Sequence, residues 1–249
     1  MLGTLKALAR PLALVFQMGK VGSSTLETTL SRHFRGSVLH AHSLGSLPAS
    51  QQRLIAWKRR LRLPIHVITP IREPIGRNVS AFFHNFKRDT GFELSDRSWS
   101  VAELCDLFLR CYPHRICLEW FDTQFLPAFG IDVYAAPFPI ERKWQTYRHG
   151  SVRLLVYRTD LDHDLQRDVV KNFLGLDIER FEFTNRADDK DYAEVYRRFV
   201  AEAALPEWYI SRMHRSRFAC HFWSAEERRE QACEWQGVGA MAPAQFAQP

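Results

Sequence analysis

The residues best suited to chemistry in this 249-residue chain are a lysine in a Gly/Ser loop, two histidines one residue apart, and an arginine closing an apolar run. The loop reads Gly19-Lys20-Val21-Gly22-Ser23-Ser24-Thr25, between an apolar stretch and a helical pattern. A helix N-terminus leaves amide N–H groups unpaired and carries partial positive charge. Glycines let the main chain approach a phosphate, hydroxyls add hydrogen bonds, and a lysine supplies a point charge. Many folds bind phosphate this way, so the loop alone leaves the reaction open. A nucleotide triphosphatase loop places Ser or Thr directly after its lysine, as the Mg²⁺ ligand. Val21 follows Lys20 here, so that hydroxyl is missing.

The arginine is Arg72, in Thr69-Pro70-Ile71-Arg72-Glu73-Pro74-Ile75-Gly76-Arg77-Asn78-Val79-Ser80. An Arg at the carboxyl end of a buried strand lies where open parallel sheets bind ligands, and its fork can hold a phosphate through two N–H groups. Ser80 falls in the following helix, positioned to add a hydroxyl. Of ten histidines, His40 and His42 stand in Val38-Leu39-His40-Ala41-His42, at the end of another strand beside the loop. Histidine suits a general base near neutral pH. His40 reads more readily as a strand cap than as a supporting or substrate contact. Glu27 and Glu73 are alternative bases. Glu27 reads first as a favourable charge near a helix N-terminus, and Glu73 as a balance for Arg72.

These residues need a scaffold, and the apolar pattern supplies one. Leu12–Gln17, Ser37–His40 and Ile65–Thr69 read as buried strands, the third bounded by Pro64 and Pro70. Helices are expected over Thr25–Phe34, Pro48–Leu61 and Ile75–Lys87. Strand–helix alternation implies a parallel sheet. Lys87–Ser98 reads as a mobile loop. Ser100 and Glu103 form a capping box for a helix to Cys111. Ile131–Tyr134 and Arg153–Tyr157 read as further strands. Leu161–Phe173, Asp191–Ala204, Pro206–Phe218 and Ser224–Trp235 read as helices, the last with a capping box of its own. The expected fold class is α/β, with a P-loop-like central parallel sheet flanked by helices and a mostly helical C-terminal part. A single domain is expected over residues 1–236, with a disordered tail over 237–249.

A hydrophobic content of 46% supports a substantial core. The formal net charge of +6 suits an anionic ligand but is too mild, without a basic stripe and interleaved aromatics, to imply nucleic acid. Lys58, Arg59, Arg60 and Arg62 form the densest basic cluster and read as a solvated helix face. Five cysteines without Cys-x-x-Cys suggest neither a disulfide framework nor a zinc site, so a reducing compartment is the default. The N-terminal apolar stretch is broken by Lys6, Arg10 and Pro11, which reads as neither a membrane span nor a signal peptide.

Lys-x-Gly-[Ser/Thr]-[Ser/Thr] resembles the 5′-phosphosulfate loop of sulfotransferases that use 3′-phosphoadenosine 5′-phosphosulfate (PAPS). Arg72-x-Pro74-x-x-Arg77-x-x-Ser80-x-Phe82 resembles their 3′-phosphate motif, in which the Arg and Ser hold the phosphate that marks this donor. The His-x-His segment resembles that of the uronyl 2-O-sulfotransferase branch, where the second histidine is the base. Weaker likeness runs through Trp120-Phe121-Asp122, Gly130–Tyr134, Leu154–Arg158, Asn185–Tyr196 and His221–Ser224, towards a bacterial capsular polysaccharide synthesis group. The resemblance implies sulfuryl transfer from PAPS to a saccharide or other hydroxyl, releasing adenosine 3′,5′-bisphosphate (PAP). It implies His42 as base and Lys20 as catalytic cation. It places Lys20, Gly22, Ser23, Ser24, Thr25, Arg72 and Ser80 on the donor, with no metal. A soluble, cytoplasmic bacterial enzyme is expected, without the membrane anchor of Golgi relatives. Two other readings are a P-loop nucleotide or small-molecule kinase and a non-catalytic nucleotide- or glycan-binding protein. Acceptor specificity is expected from loops such as Lys87–Ser98 and Pro137–Gly150. Trp144, Tyr147, Trp99 and Trp208 could stack on sugars, though aromatics at such spacing are more often core.

Overall fold

The computed structural model describes residues 8–182 and 191–237. Within that span the chain forms two compact units. One comprises the described parts of Met1–Arg72 and Glu119–Thr184, the other those of Glu73–Leu118 and Asn185–Pro249. Apart from Gly237, the expected tail lies outside the described residues, as do positions 185–190 of the Asn185–Tyr196 likeness.

The first unit is built on a five-stranded sheet in the order β2-β1-β3-β5-β4. Its strands are β1 (Leu12–Phe16), β2 (Ser37–Ala41), β3 (Ile65–Ile71), β4 (Trp144–His149) and β5 (Val152–Arg158). The first three strands and β5 are parallel, and β4 joins antiparallel at the edge. Helices α1 (Ser23–His33) and α2 (Ala49–Arg60) make the crossovers after β1 and β2. Leu26 and Leu30 of α1 pack with Ala13, Val15 and Ile68 of the sheet and with Val170 and Phe173 of helix His163–Leu174. On Phe16, by contrast, lie the rings of Trp120 and Phe129, at centroid distances of 5.0 and 5.4 Å.

Several boundaries differ from the sequence reading. β3 continues to Ile71, through Pro70. The Ile71 carbonyl accepts from Thr159 N–H at 2.8 Å, so Ile71 faces β5 and Pro70 faces the β1 side. Pairing with β1 runs only to Val15↔Ile68, so the N–H that proline lacks falls beyond that ladder. Ile131–Tyr134 is not a strand. Asp132 accepts from Tyr134 N–H and starts a 3₁₀ turn at Val133–Ala135, a local competitor to pairing. Trp144–His149, expected as loop, is an edge strand joined to β5 through Gly150-Ser151, with Gly150 at φ 57°. Lys58 does not lie on a solvated face. It is 1% exposed, and its Nζ donates to the carbonyls of Leu8 and Arg10.

Arg158, 1% exposed at the end of β5, donates from Nε to Asp160 at 2.9 Å, and Lys143 bonds the same carboxylate. Burial pushes the Asp160 carboxyl up, but Arg158 and Lys143 outweigh it and hold it below the usual range. A depressed folded-state pKa gives stability that is full above the unfolded value and lost as pH falls through the folded one. Asp160→Asn is expected to cost about 1–2 kcal/mol in urea unfolding at pH 7, discounted for a side chain 47% exposed. Wild type and variant should converge in acid.

The second unit is helical. Glu73 caps α3 (Pro74–His84), accepting from the N–H groups of Ile75 and Gly76. Phe82 and Phe83 of α3 meet Phe108 and Phe199 in an aromatic core. The helix expected through Lys87 breaks at Asn85, and Phe86–Thr90 forms a separate short helix, so Lys87–Thr90 is not loop. Both capping boxes form, Ser100 with Glu103 and Ser224 with Glu227. The segment read as one helix over Pro206–Phe218 is two, Glu207–His214 and Arg217–Phe222, the second capped by Ser216. No helix among the described residues is long and apolar enough to cross a membrane.

Candidate functional site

β1, β2 and β3 are parallel, so their carboxyl ends share one edge. The chain leaves β1 for β2 on one side and reaches β3 on the other. Such a reversal of strand order is where open α/β sheets bind ligands. Three segments that carry expected site residues leave this edge: the loop with Lys20 and Gly22 after β1, His42 after β2 and Arg72 after β3. With strands about 4.8 Å apart, His42 and Arg72 depart on either side of the loop, their strands roughly 10 Å from each other.

Gly19, Lys20 and Gly22 have φ of 84°, 60° and 69°. Glycine takes that region without cost; lysine there is strained by roughly 1–2 kcal/mol. Helix α1 starts at Ser23, two residues before the expected Thr25, so Ser23 and Ser24 occupy its first turn. Its N-cap is Gly22, which has no side chain with which to cap. Ser23 and Thr25 are buried and Ser24 half-buried.

A residue that the sequence reading passed over organises this edge. Gln17 is 0% exposed, and its Oε1 accepts from the N–H of Gly19. That bond fixes which end of the amide is nitrogen. Nε2 lies 2.9 Å from Ser23 Oγ, 2.9 Å from His40 Nε2 and 3.0 Å from His42 Nδ1. It has two hydrogens for three neighbours, and the other contacts decide who receives them. His42 Nδ1 is 3.0 Å from the Gln17 carbonyl, which can only accept, so Nδ1 carries a hydrogen. His40 Nδ1 is 2.6 Å from the Glu27 carboxylate and carries one too. The Gln17 hydrogens therefore go to Ser23 and His40, and the lone pair of His42 is on Nε2. His42 is exposed, and its carbonyl accepts from Trp120 Nε1–H at 2.8 Å.

His40 is thus more than a strand cap: Glu27 and Gln17 engage both its ring nitrogens. Glu27 is not an N-terminal dipole charge either. It lies beyond the first turn of α1, which holds no acidic residue, and its carboxylate orients His40. Glu73 does not balance Arg72 as read. It caps α3 and pairs with His214 Nε2 at 3.0 Å, within the second unit.

Arg72 is half-buried, directly beyond the last residue of β3. Ser80 is half-buried on α3 of the second unit. Among the aromatics weighed as sugar platforms, Trp99 is 4% exposed and belongs to the core, whereas Trp208 is 58% exposed. No group of three or more His, Cys, Asp or Glu able to hold a metal occurs among the described residues.

Compared with protein-family models, curated proteins and solved structures, the chain matches none. The sequence did hold a signal for Gln17, an amide ending the run Leu-Ala-Leu-Val-Phe where a buried strand would otherwise stay apolar.

Proposed function

We propose that the protein is a P-loop-like sulfotransferase that moves a sulfuryl group from PAPS to a hydroxyl, on a saccharide in the first instance. The observation that carries this reading is the hydrogen bond from His42 Nδ1–H to the Gln17 carbonyl, which ties the residue after β2 to the start of the loop after β1. The loop suits the 5′-phosphosulfate: glycines that let the main chain come close, a lysine, and a helix start bearing two serines. Arg72 and Ser80 are assigned to the 3′-phosphate on the strength of their motif.

In the proposed reaction the acceptor O–H bond breaks and its proton passes to His42 Nε2. The acceptor oxygen bonds sulfur in line as the bond from sulfur to the bridging oxygen breaks. PAP leaves with the electron pair, and Lys20 offsets the charge growing on that oxygen. The imidazolium formed keeps its Nδ1–H on the Gln17 carbonyl, so His42 needs no reorientation. A kinase reading is disfavoured by Val21, where a Mg²⁺-binding hydroxyl would stand.

Titration calorimetry with PAP and with AMP tests the donor half. PAP should bind at least tenfold more tightly than AMP without added metal, because the 3′-phosphate adds charge-assisted hydrogen bonds. Equal affinity for the two, or no binding of PAP, would overturn the donor assignment.

A further inference from the structure

The first unit carries a strongly one-signed stretch: no Asp or Glu stands between Glu27 and Glu73, whereas basic residues recur from Arg32 to Arg72. Helix α2 lies inside it. Ile55 and Lys58 form its buried side, 2% and 1% exposed, with Lys58 tied to the carbonyls of Leu8 and Arg10. That anchoring fixes which side faces out. Arg53, Trp57, Arg60 and Leu61 recur at i, i+4, i+7 and i+8, which puts them along one face. All four are exposed, Trp57 by 48% and Leu61 by 51%. Arg59 and Arg62, also exposed, flank them.

A solvated helix face has no use for a half-exposed Trp beside a half-exposed Leu. A nucleic acid or a sulfated glycan would engage the arginines and gain little from Leu61. A bilayer with anionic headgroups accepts all of them. Trp and Leu enter the boundary between headgroups and acyl chains, and arginines at the same level pair with lipid phosphates. We propose that this face of α2 docks the protein peripherally on an anionic membrane surface. The inference is independent of the donor chemistry, since it uses none of the residues at the sheet edge.

The test is co-sedimentation of the full chain with vesicles of phosphatidylcholine alone and of phosphatidylcholine mixed with phosphatidylglycerol. The protein should sediment with the mixed vesicles only, and salt should release it. Arg53→Ala combined with Arg60→Ala should lower partitioning roughly twenty-five-fold, about fivefold for each positive charge withdrawn. Brominated acyl chains should quench tryptophan emission in the wild type and not in Trp57→Phe. These side chains are exposed, so the variants should retain the wild-type far-ultraviolet circular dichroism. The proposal fails if the mixed vesicles are not bound at low salt, or if phosphatidylcholine alone binds as well. It also fails if the double variant binds unchanged, or if quenching persists without Trp57. Binding of a soluble polyanion such as heparin without binding of vesicles would reassign the face to an acidic polymer.

Discussion

His42→Ala is expected to lower sulfuryl transfer from PAPS about a hundredfold to ten-thousandfold, the range that a positioned general base supplies. PAP affinity should stay within about twofold. This separation follows from the hydrogen bonds at the sheet edge. The Nδ1–H of His42 rests on a main-chain carbonyl. Gln17 keeps its bonds to Gly19, Ser23 and His40, and the loop keeps its shape. Single-turnover transfer monitored by PAP release, paired with calorimetry, makes the comparison. Full transfer by the variant would remove His42 as base. Glu27→Ala gives a second arm. It strips His40 of its carboxylate and should slow transfer by about tenfold through misplacement of the edge. Glu27→Gln, which can still accept from Nδ1–H, should recover most of that loss. If Glu27→Ala were as damaging as His42→Ala, the carboxylate would be acting on the acceptor itself.

The parallel part of the sheet was legible in the sequence because short strand-like runs alternate with helical patterns, β1 and β3 apolar and buried, β2 only partly so. The ends of those runs were less legible. Pro70 seemed to stop β3, since proline cannot donate to a ladder, yet its missing N–H falls where β1 no longer pairs. The ladder with β5 carries β3 on to Ile71, and Arg72 follows directly, at the strand end where the sequence also put it. β4 was hidden for another reason. An edge strand half open to solvent need not be apolar, and Trp144-Gln145-Thr146-Tyr147-Arg148-His149 has the polarity of a loop. For the candidate site, residue types and spacing pointed to Lys20 in the loop after β1 and to His42 and Arg72 directly beyond β2 and β3. Gln17 left a signal as a lone amide ending an apolar run, but residue types and spacing could not show that Glu27 and Trp120 orient the edge. Those contacts cross between strands and helices, and no local pattern encodes them. Trp120 reaches the His42 carbonyl from the far side of a long insertion.

The donor half of the reading stands or falls on Arg72. Arg72→Ala is expected to weaken PAP about a hundredfold or more and to leave AMP within about threefold, so the preference for a 3′-phosphate should collapse. The size follows from a bidentate guanidinium–phosphate contact: two charge-assisted hydrogen bonds at about 1.5–3 kcal/mol each. The selectivity follows from location. Ile71 is held by the Thr159 N–H, and the pairing of β3 with β5 runs through to Ile71↔Arg158, so the strand end keeps its position when the side chain beyond it is cut back. Arg72 is itself only half-buried, which limits any cost in stability. Arg72→Lys should recover part of the affinity, because a point charge replaces the fork but not its geometry. Ser80→Ala should cost about tenfold or less, as befits one neutral hydroxyl. Calorimetry of all three variants against PAP and AMP, with thermal unfolding as the control for folding, gives the comparison. Equal weakening of both nucleotides would place Arg72 on the 5′ side. Unchanged PAP binding would leave the 3′-phosphate without its proposed partner.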